Sequence, residues 1–119
     1  MTAPNLKTPT TITGRTARYA VTASLANALA NSAASGKVLK INSIFCANVD
    51  GTNAADISVS IYNGTTDFYL AKTIAVPADA TQIISTKETY FYLEEGDSIR
   101  AIASAASDLE LVIGYEDIS

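Results

Sequence analysis

The chain has 119 residues and a mass of 12.4 kDa, the size of one domain, with 48% hydrophobic but only 17% charged residues. Histidine and tryptophan are absent and cysteine occurs once, at Cys46. That excludes a Ser-His-Asp or Cys-His catalytic centre, histidine-ligated zinc, a cysteine-rich metal knuckle and an intrachain disulfide.

No stretch approaches the ~20 apolar residues of a membrane span, and the opening Met1-Thr2-Ala3-Pro4 is polar rather than signal-like. The lone thiol fits a reducing compartment. The net charge of -4 hides a division. Lys7, Arg15, Arg18, Lys37 and Lys40 all precede residue 50, where no acid occurs. All 12 acids follow, against Lys72, Lys87 and Arg100. Such asymmetry fits copies that meet through opposite faces, or acids that simply solvate turns. A sequence pI near 4.5 and no dense basic stripe argue against nucleic acid as a partner.

Residues 1–16 contain Pro4, Pro9, Gly14 and many threonines, with Leu6 and Ile12 as the sizeable apolar groups. They read as an extended arm rather than a core element. Taken to residue 18, the arm offers Leu6, Lys7, Ile12, Arg15 and Arg18 as candidate intersubunit contacts.

Residues 16–35 admit two readings. Ser24 can cap a short helix, with Leu25 and Leu29 four apart and Gly36 at its stop. Against that, Tyr19 and Val21 alternate as in a strand, and Leu25, Asn27 and Leu29 keep that period.

From Lys37 the pattern is extended structure. In Lys37 to Val49, Leu39 and Ile41 point one way and Ile44 and Cys46 the other, so the phase slips near Ser43 and predicts a bulge or a strand covered on both faces. Asp50-Gly51-Thr52-Asn53 is a turn. Ile57, Val59 and Ile61 alternate with serines as a half-buried strand, and Asn63-Gly64 predicts a type I′ hairpin turn. Phe68 to Val76 returns and stops at Pro77. Short strands follow at Thr81 to Thr86, Thr89 to Leu93, around Ile99 to Ala103, and from Leu109 onward. Regular turn signals with no long helix describe an all-β, antiparallel β-sandwich, jelly-roll or immunoglobulin-like, of seven to eight strands. The expected organisation is an arm over residues 1–18 and a single sandwich domain over residues 19–119.

The motifs with a chemical alternative read as structure. Ser35-Gly36-Lys37 lacks the first glycine of a phosphate loop and has Val38 where a hydroxyl binds magnesium. Asp50 to Asp56 has oxygen ligands in the wrong order for a calcium loop. Glu94, Glu95 and Asp97 flank Gly96 in a solvated turn, with no apolar pocket of the kind glycoside hydrolysis needs. Cys46 lies in an apolar strand, so it is expected to be a buried, inert thiol. Tyr90, Phe91, Tyr92, Phe68 and Tyr69 can stack a sugar or base, but such runs more often fill a core and its rim. The residues therefore predict no enzyme, no metal, no cofactor and no small-molecule substrate.

Four stretches carry a resemblance: Gly36-Lys37-Val38-Leu39-Lys40-Ile41-Asn42-Ser43-Ile44, Ala47-Asn48-Val49-Asp50-Gly51, Tyr69-Leu70-Ala71-Lys72-Thr73-Ile74-Ala75-Val76-Pro77-Ala78, and Tyr92-Leu93-Glu94-Glu95-Gly96-Asp97-Ser98-Ile99-Arg100-Ala101. In this order, closed by a strand like Leu109 to Ile118, they resemble the small β-sandwich virion proteins of tailed bacteriophages, over about residues 19–119. The family has β-branched residues where residues 19–30 of this chain carry alanines, so the resemblance implies a strand there. It further implies a non-enzymatic virion structural protein, made in the bacterial host cytoplasm. The role it favours is a capsid decoration (cement) protein on the outside of the head. Its partners would be itself, as a homo-oligomer with a trimer favoured, and a major capsid or other virion protein. The alternatives are a tail, collar, baseplate or fibre-associated subunit and, in another class, a carbohydrate-binding host-recognition module.

Overall fold

The computed structural model describes residues 4–119. It holds nine strands: β1 (Ile12–Ala20), β2 (Ala26–Ala30), β3 (Val38–Asn48), β4 (Ala55–Tyr62), β5 (Asp67–Val76), β6 (Thr81–Ser85), β7 (Phe91–Leu93), β8 (Ser98–Ala103) and β9 (Leu109–Ile118). A single 3-10 turn, Lys87–Thr89, separates β6 from β7. The first sheet has the order β1-β9-β3-β6, with β7 also on β3; the second has the order β2-β8-β4-β5. Every pairing is antiparallel. The chain crosses between the sheets at each step except from β4 to β5 and from β6 to β7. That is jelly-roll topology, with the sixth of its eight strands broken by the 3-10 turn into β6 and β7.

The expected sandwich is present, and of the two topologies proposed for it the strand order selects the jelly roll. The core forms where the two inner faces meet. Ile41, Ile44 and Cys46 of β3, Leu109, Leu111 and Ile113 of β9, Ile57 and Val59 of β4 and Ile99 of β8 are wholly buried. The phase slip of β3 is a bulge at Asn42, where its register with β9 shifts between Ile41 and Ser43. The bulge turns Phe45 outward while Ile44 and Cys46 face the core.

Four expectations are corrected. First, the arm expected over residues 1–18 is a strand from Ile12 onward, paired with β9 from Ile12↔Ile118 to Ala20↔Glu110. Its few apolar side chains do not prevent this, because an edge strand is held mainly by its backbone ladder. Residues 1–3 of the arm lie outside the described residues. Second, the 16–35 stretch is neither a helix nor one strand. β1 ends at Ala20, Thr22 Oγ1 accepts from Ser24 N (3.3 Å) in the turn, and β2 starts at Ala26. Third, the Asn63-Gly64 hairpin has a four-residue loop rather than a two-residue one, since Tyr62 pairs with Asp67. Asn63 Oδ1 accepts from the Thr65 (2.9 Å) and Thr66 (2.8 Å) amides, and only Gly64 of the pair has positive φ, at 96°.

Fourth, β4 departs from a half-buried strand, because Ser58 and Ser60 are buried too. Ser60 lies between Arg100 and Tyr69 across the ladder and donates to Asp67 Oδ1 at 2.7 Å, while Ser58 Oγ accepts from Thr73 N at 2.9 Å. Arg100 stacks 4.1 Å over the Tyr62 ring and so roofs this outer face.

Candidate functional site

The first sheet carries the surface that most needs an explanation. β1, β9, β3 and β6 place Arg18, Val112, Phe45 and Ile83 side by side, through Arg18↔Val112, Phe45↔Val112 and Phe45↔Ile83. The last three are exposed apolar side chains, Ile83 to 51%. Singly exposed apolar residues are ordinary; a cross-strand row of them on one face is a candidate contact surface. At one end of this face Ile12 is 58% exposed beside the buried Ile118. Toward the opposite edge, Lys40 lies 4.5 Å from the Tyr90 ring, and Tyr90 meets Tyr92 edge-on, with centroids 5.9 Å apart and an interplanar angle of 87°. Rings at that angle do not form a coplanar stacking platform.

The five residues expected to make intersubunit contacts do not form one patch. Leu6 and Lys7 sit in a turn ahead of β1, where Lys7 N donates to Asn5 Oδ1 at 2.9 Å. Ile12 and Arg18 project from the outer face of β1. Arg15, of opposite parity, turns inward, and its Nε lies 3.1 Å from Asp117 Oδ2. Lys37 Nζ reaches the same oxygen at 3.3 Å, in a groove of about 260 Å³ at the end of the sandwich. The charge of Arg15 is therefore engaged within its own chain. The Phe45, Val112 and Ile83 row was missed from the sequence. Its signal was the phase slip, which keeps Ile44 and Cys46 on the same core face as Leu39 and Ile41 and so leaves Phe45 outside.

The groups with a chemical alternative are built into the scaffold. Glu95 Oε2 accepts from Gly36 N at 3.0 Å and Asp97 Oδ2 from Glu94 N at 3.1 Å, so two of the clustered acids brace loops. Asp50 Oδ1 accepts from Thr52 N at 2.8 Å and Asn53 N at 3.3 Å. Those bonds, the Thr52 amide foremost, hold its carboxyl below the usual carboxylate range. Burial pushes the Cys46 thiol up to about 11. Among the described residues no group of three or more Cys, Asp or Glu is placed to hold a metal ion.

No protein-family model matches the chain, and no curated protein matches it. Among solved structures it is similar to a protein of Bacillus endospore appendages, described as a novel family of disulfide-linked pili. That likeness has 14% identity and a TM-score of 0.54, and covers 92% of this chain and 87% of the other. It also matches a pentameric capsid protein isolated from metagenomic phage sequences, at 15% identity and a TM-score of 0.42. That match covers 85% of this chain but 59% of the capsid protein. At these identities the appendage likeness is one of fold. Its disulfide linkage has no counterpart in Cys46, which is single and buried.

Proposed function

We propose that this chain is a non-enzymatic structural subunit that works by packing against other proteins in a large assembly, and that the assembly is a phage particle. The observation that carries this reading is the first sheet's outer face, where Phe45, Val112 and Ile83 expose an unbroken apolar row on a rigid jelly roll. The motifs shared with small virion sandwich proteins supply the kind of assembly. In its finer form the subunit decorates the outside of the head, as a homo-oligomer bound to the major capsid protein. The row would then lie against a neighbour, where its burial contributes ~25 cal/mol per Å² of apolar area before association costs.

The test is quantitative mass spectrometry on particles purified from cells that produce the chain. Hundreds of copies per particle are expected for a head decoration protein, and a few to dozens would move the subunit to the tail, collar or fibre. Absence from particles would overturn the reading. Phe45→Lys should lower binding to particles that lack the wild-type protein by at least tenfold, about 1.4 kcal/mol, while its melting temperature stays near that of the wild type.

A further inference from the structure

Five strands lie at the edges of the two sheets, and four of them are blunted, β7 by its length of three residues. β2 and β6 are five residues long, and each has a register shift. β5 is longer, but its ladder with β4 shifts twice and Thr73 takes a positive φ of 53°. Short, bulged and twisted edges resist pairing with another chain. β1 has none of these features. Its nine residues pair with β9 without a shift, and no proline interrupts it.

The direction of its free groups follows from the ladder. Thr11 and Ser119 exchange both backbone hydrogen bonds, at 2.9 and 3.0 Å, and Val21 N donates to Leu109 O at 2.9 Å. Odd-numbered residues of β1 therefore face β9. Ile12, Gly14, Thr16, Arg18 and Ala20 point their N–H and C=O away from β9.

Gly14 has no intrachain reason to be glycine. Its φ is not positive, and a Cβ added there meets nothing within 4 Å. A glycine inside a strand costs stability, and where it persists it often marks close approach by another group.

We infer that β1 pairs antiparallel with β1 of a second copy about a two-fold axis at Thr16, joining the two first sheets into one. The inference rests on the assembly reading above and names its contact. Centring on Thr16 uses the whole strand and opposes Ile12 to Ala20′, Gly14 to Arg18′ and Thr16 to Thr16′, the prime marking the second copy. It sets no like charges opposite each other, whereas centring on Arg15 or Arg18 opposes two arginines.

Charge complementarity supports this register. Within one chain Gly14 lies opposite Glu116, on the same outer face as Arg18. In the pair, Arg18 faces Gly14′ and, one strand beyond, Glu116′. At ~4.8 Å per strand spacing their Cα atoms lie about 10 Å apart, a gap that an arginine and a glutamate bridge over a residue with no side chain. Symmetry makes the contact twice. Ile12, exposed in the single chain, gains Ala20′ as a neighbour.

Sedimentation velocity of the wild-type chain over rising concentration should show a dimer; a strictly monomeric chain, or a trimer, overturns the inference. Register is read by cross-linking in a Cys46→Ala background. Thr16→Cys should give a covalent dimer on mild oxidation, because directly opposed residues of a hydrogen-bonded pair lie ~5.5 Å apart at Cα, within disulfide reach. Gly14→Cys alone should not cross-link, but mixed with Arg18→Cys it should. Failure of Thr16→Cys to cross-link overturns the pairing. Arg18→Glu and Glu116→Lys should each raise the dimer dissociation constant at least tenfold, and the two together should restore it. A dimer that never joins particles would refute the virion reading alone. A monomer that joins them would refute this pairing alone.

Discussion

Arg15 Nε lies 3.1 Å from Asp117 Oδ2, on a carboxylate whose side chain is only 12% exposed. With Lys37 Nζ at 3.3 Å on the same oxygen, one acid ties the start of β1 and the entry to β3 to the end of β9. Both cations are about half exposed, so on losing the acid they return to water rather than being left buried. Asp117→Ala should therefore cost about 1–2 kcal/mol and lower the melting temperature by roughly 4–8 °C. Arg15→Ala should cost less than ~1 kcal/mol, and its effect should shrink in high salt. An Asp117→Ala melt equal to that of the wild type would show that the ion pairs contribute nothing.

The N-terminal segment should divide at Ile12. Removing residues 1–11 leaves every β1–β9 pair in place, so melting should move by only a few degrees. Removing residues 1–20 strips β9 of a nine-residue partner, along with the Tyr19 and Ala17 contacts to the core. That form should be unfolded or aggregated at room temperature, as circular dichroism and light scattering would report. A soluble, cooperatively melting product of the longer deletion would mean that β1 is dispensable.

Two glycines should respond in opposite ways. Gly64 has φ +96°, a conformation that resists any Cβ, so Gly64→Val should destabilise the chain by about 1–2 kcal/mol although a Cβ there meets nothing within 4 Å. Gly14→Ala, at ordinary strand φ and in open space, should stabilise the single chain by ~0.5 kcal/mol. Chemical denaturation of the two variants beside the wild type checks both signs. Equal midpoints for Gly64→Val and wild type would place the hairpin strain elsewhere.

Cys46 links stability to alkaline pH. Its thiol is raised from 9.0 to about 11 by burial, so the folded state holds its proton where the unfolded state has released it. Below pH 9 both states are protonated and stability does not change through this group. As pH rises from 9 toward 11 the unfolded state is favoured by up to ~2 kcal/mol. Cys46→Ala should lose core packing at neutral pH, yet show a shallower fall in melting temperature between pH 8.5 and 10.5. A parallel fall in both proteins would show that the thiol is not the group responsible. In the wild type, native Cys46 should react with a thiol reagent only at the rate of unfolding.

Side-chain alternation made much of this fold readable from the chain alone. Leu109, Leu111 and Ile113 alternate with outward residues, Ile57 and Val59 alternate with serines, and Pro77 follows the last residue of β5. A period of two records which face each residue turns, and that is a local property. The slip after Ile41 likewise announced the bulge at Asn42. The slip is a property of one strand, but its consequence, Phe45 exposed on the outer face beside Val112 and Ile83, depends on which strands lie alongside. Pairing of that kind is decided by contacts between segments distant in sequence.

β1 shows the same limit more sharply. Thr13, Gly14 and Thr16 carry no apolar alternation, so local pattern reads an arm. What holds them is a backbone ladder to β9, about a hundred residues away, and a backbone ladder leaves no mark in side-chain hydropathy. Arg15 and Arg18 look equivalent in sequence, as two basic residues in a row of threonines and small residues. Only the pairing with β9 decides that one turns inward to Asp117 while the other stays on the outer face, free to meet a neighbour, because a strand sends successive side chains to opposite faces only once its ladder has chosen which face is which.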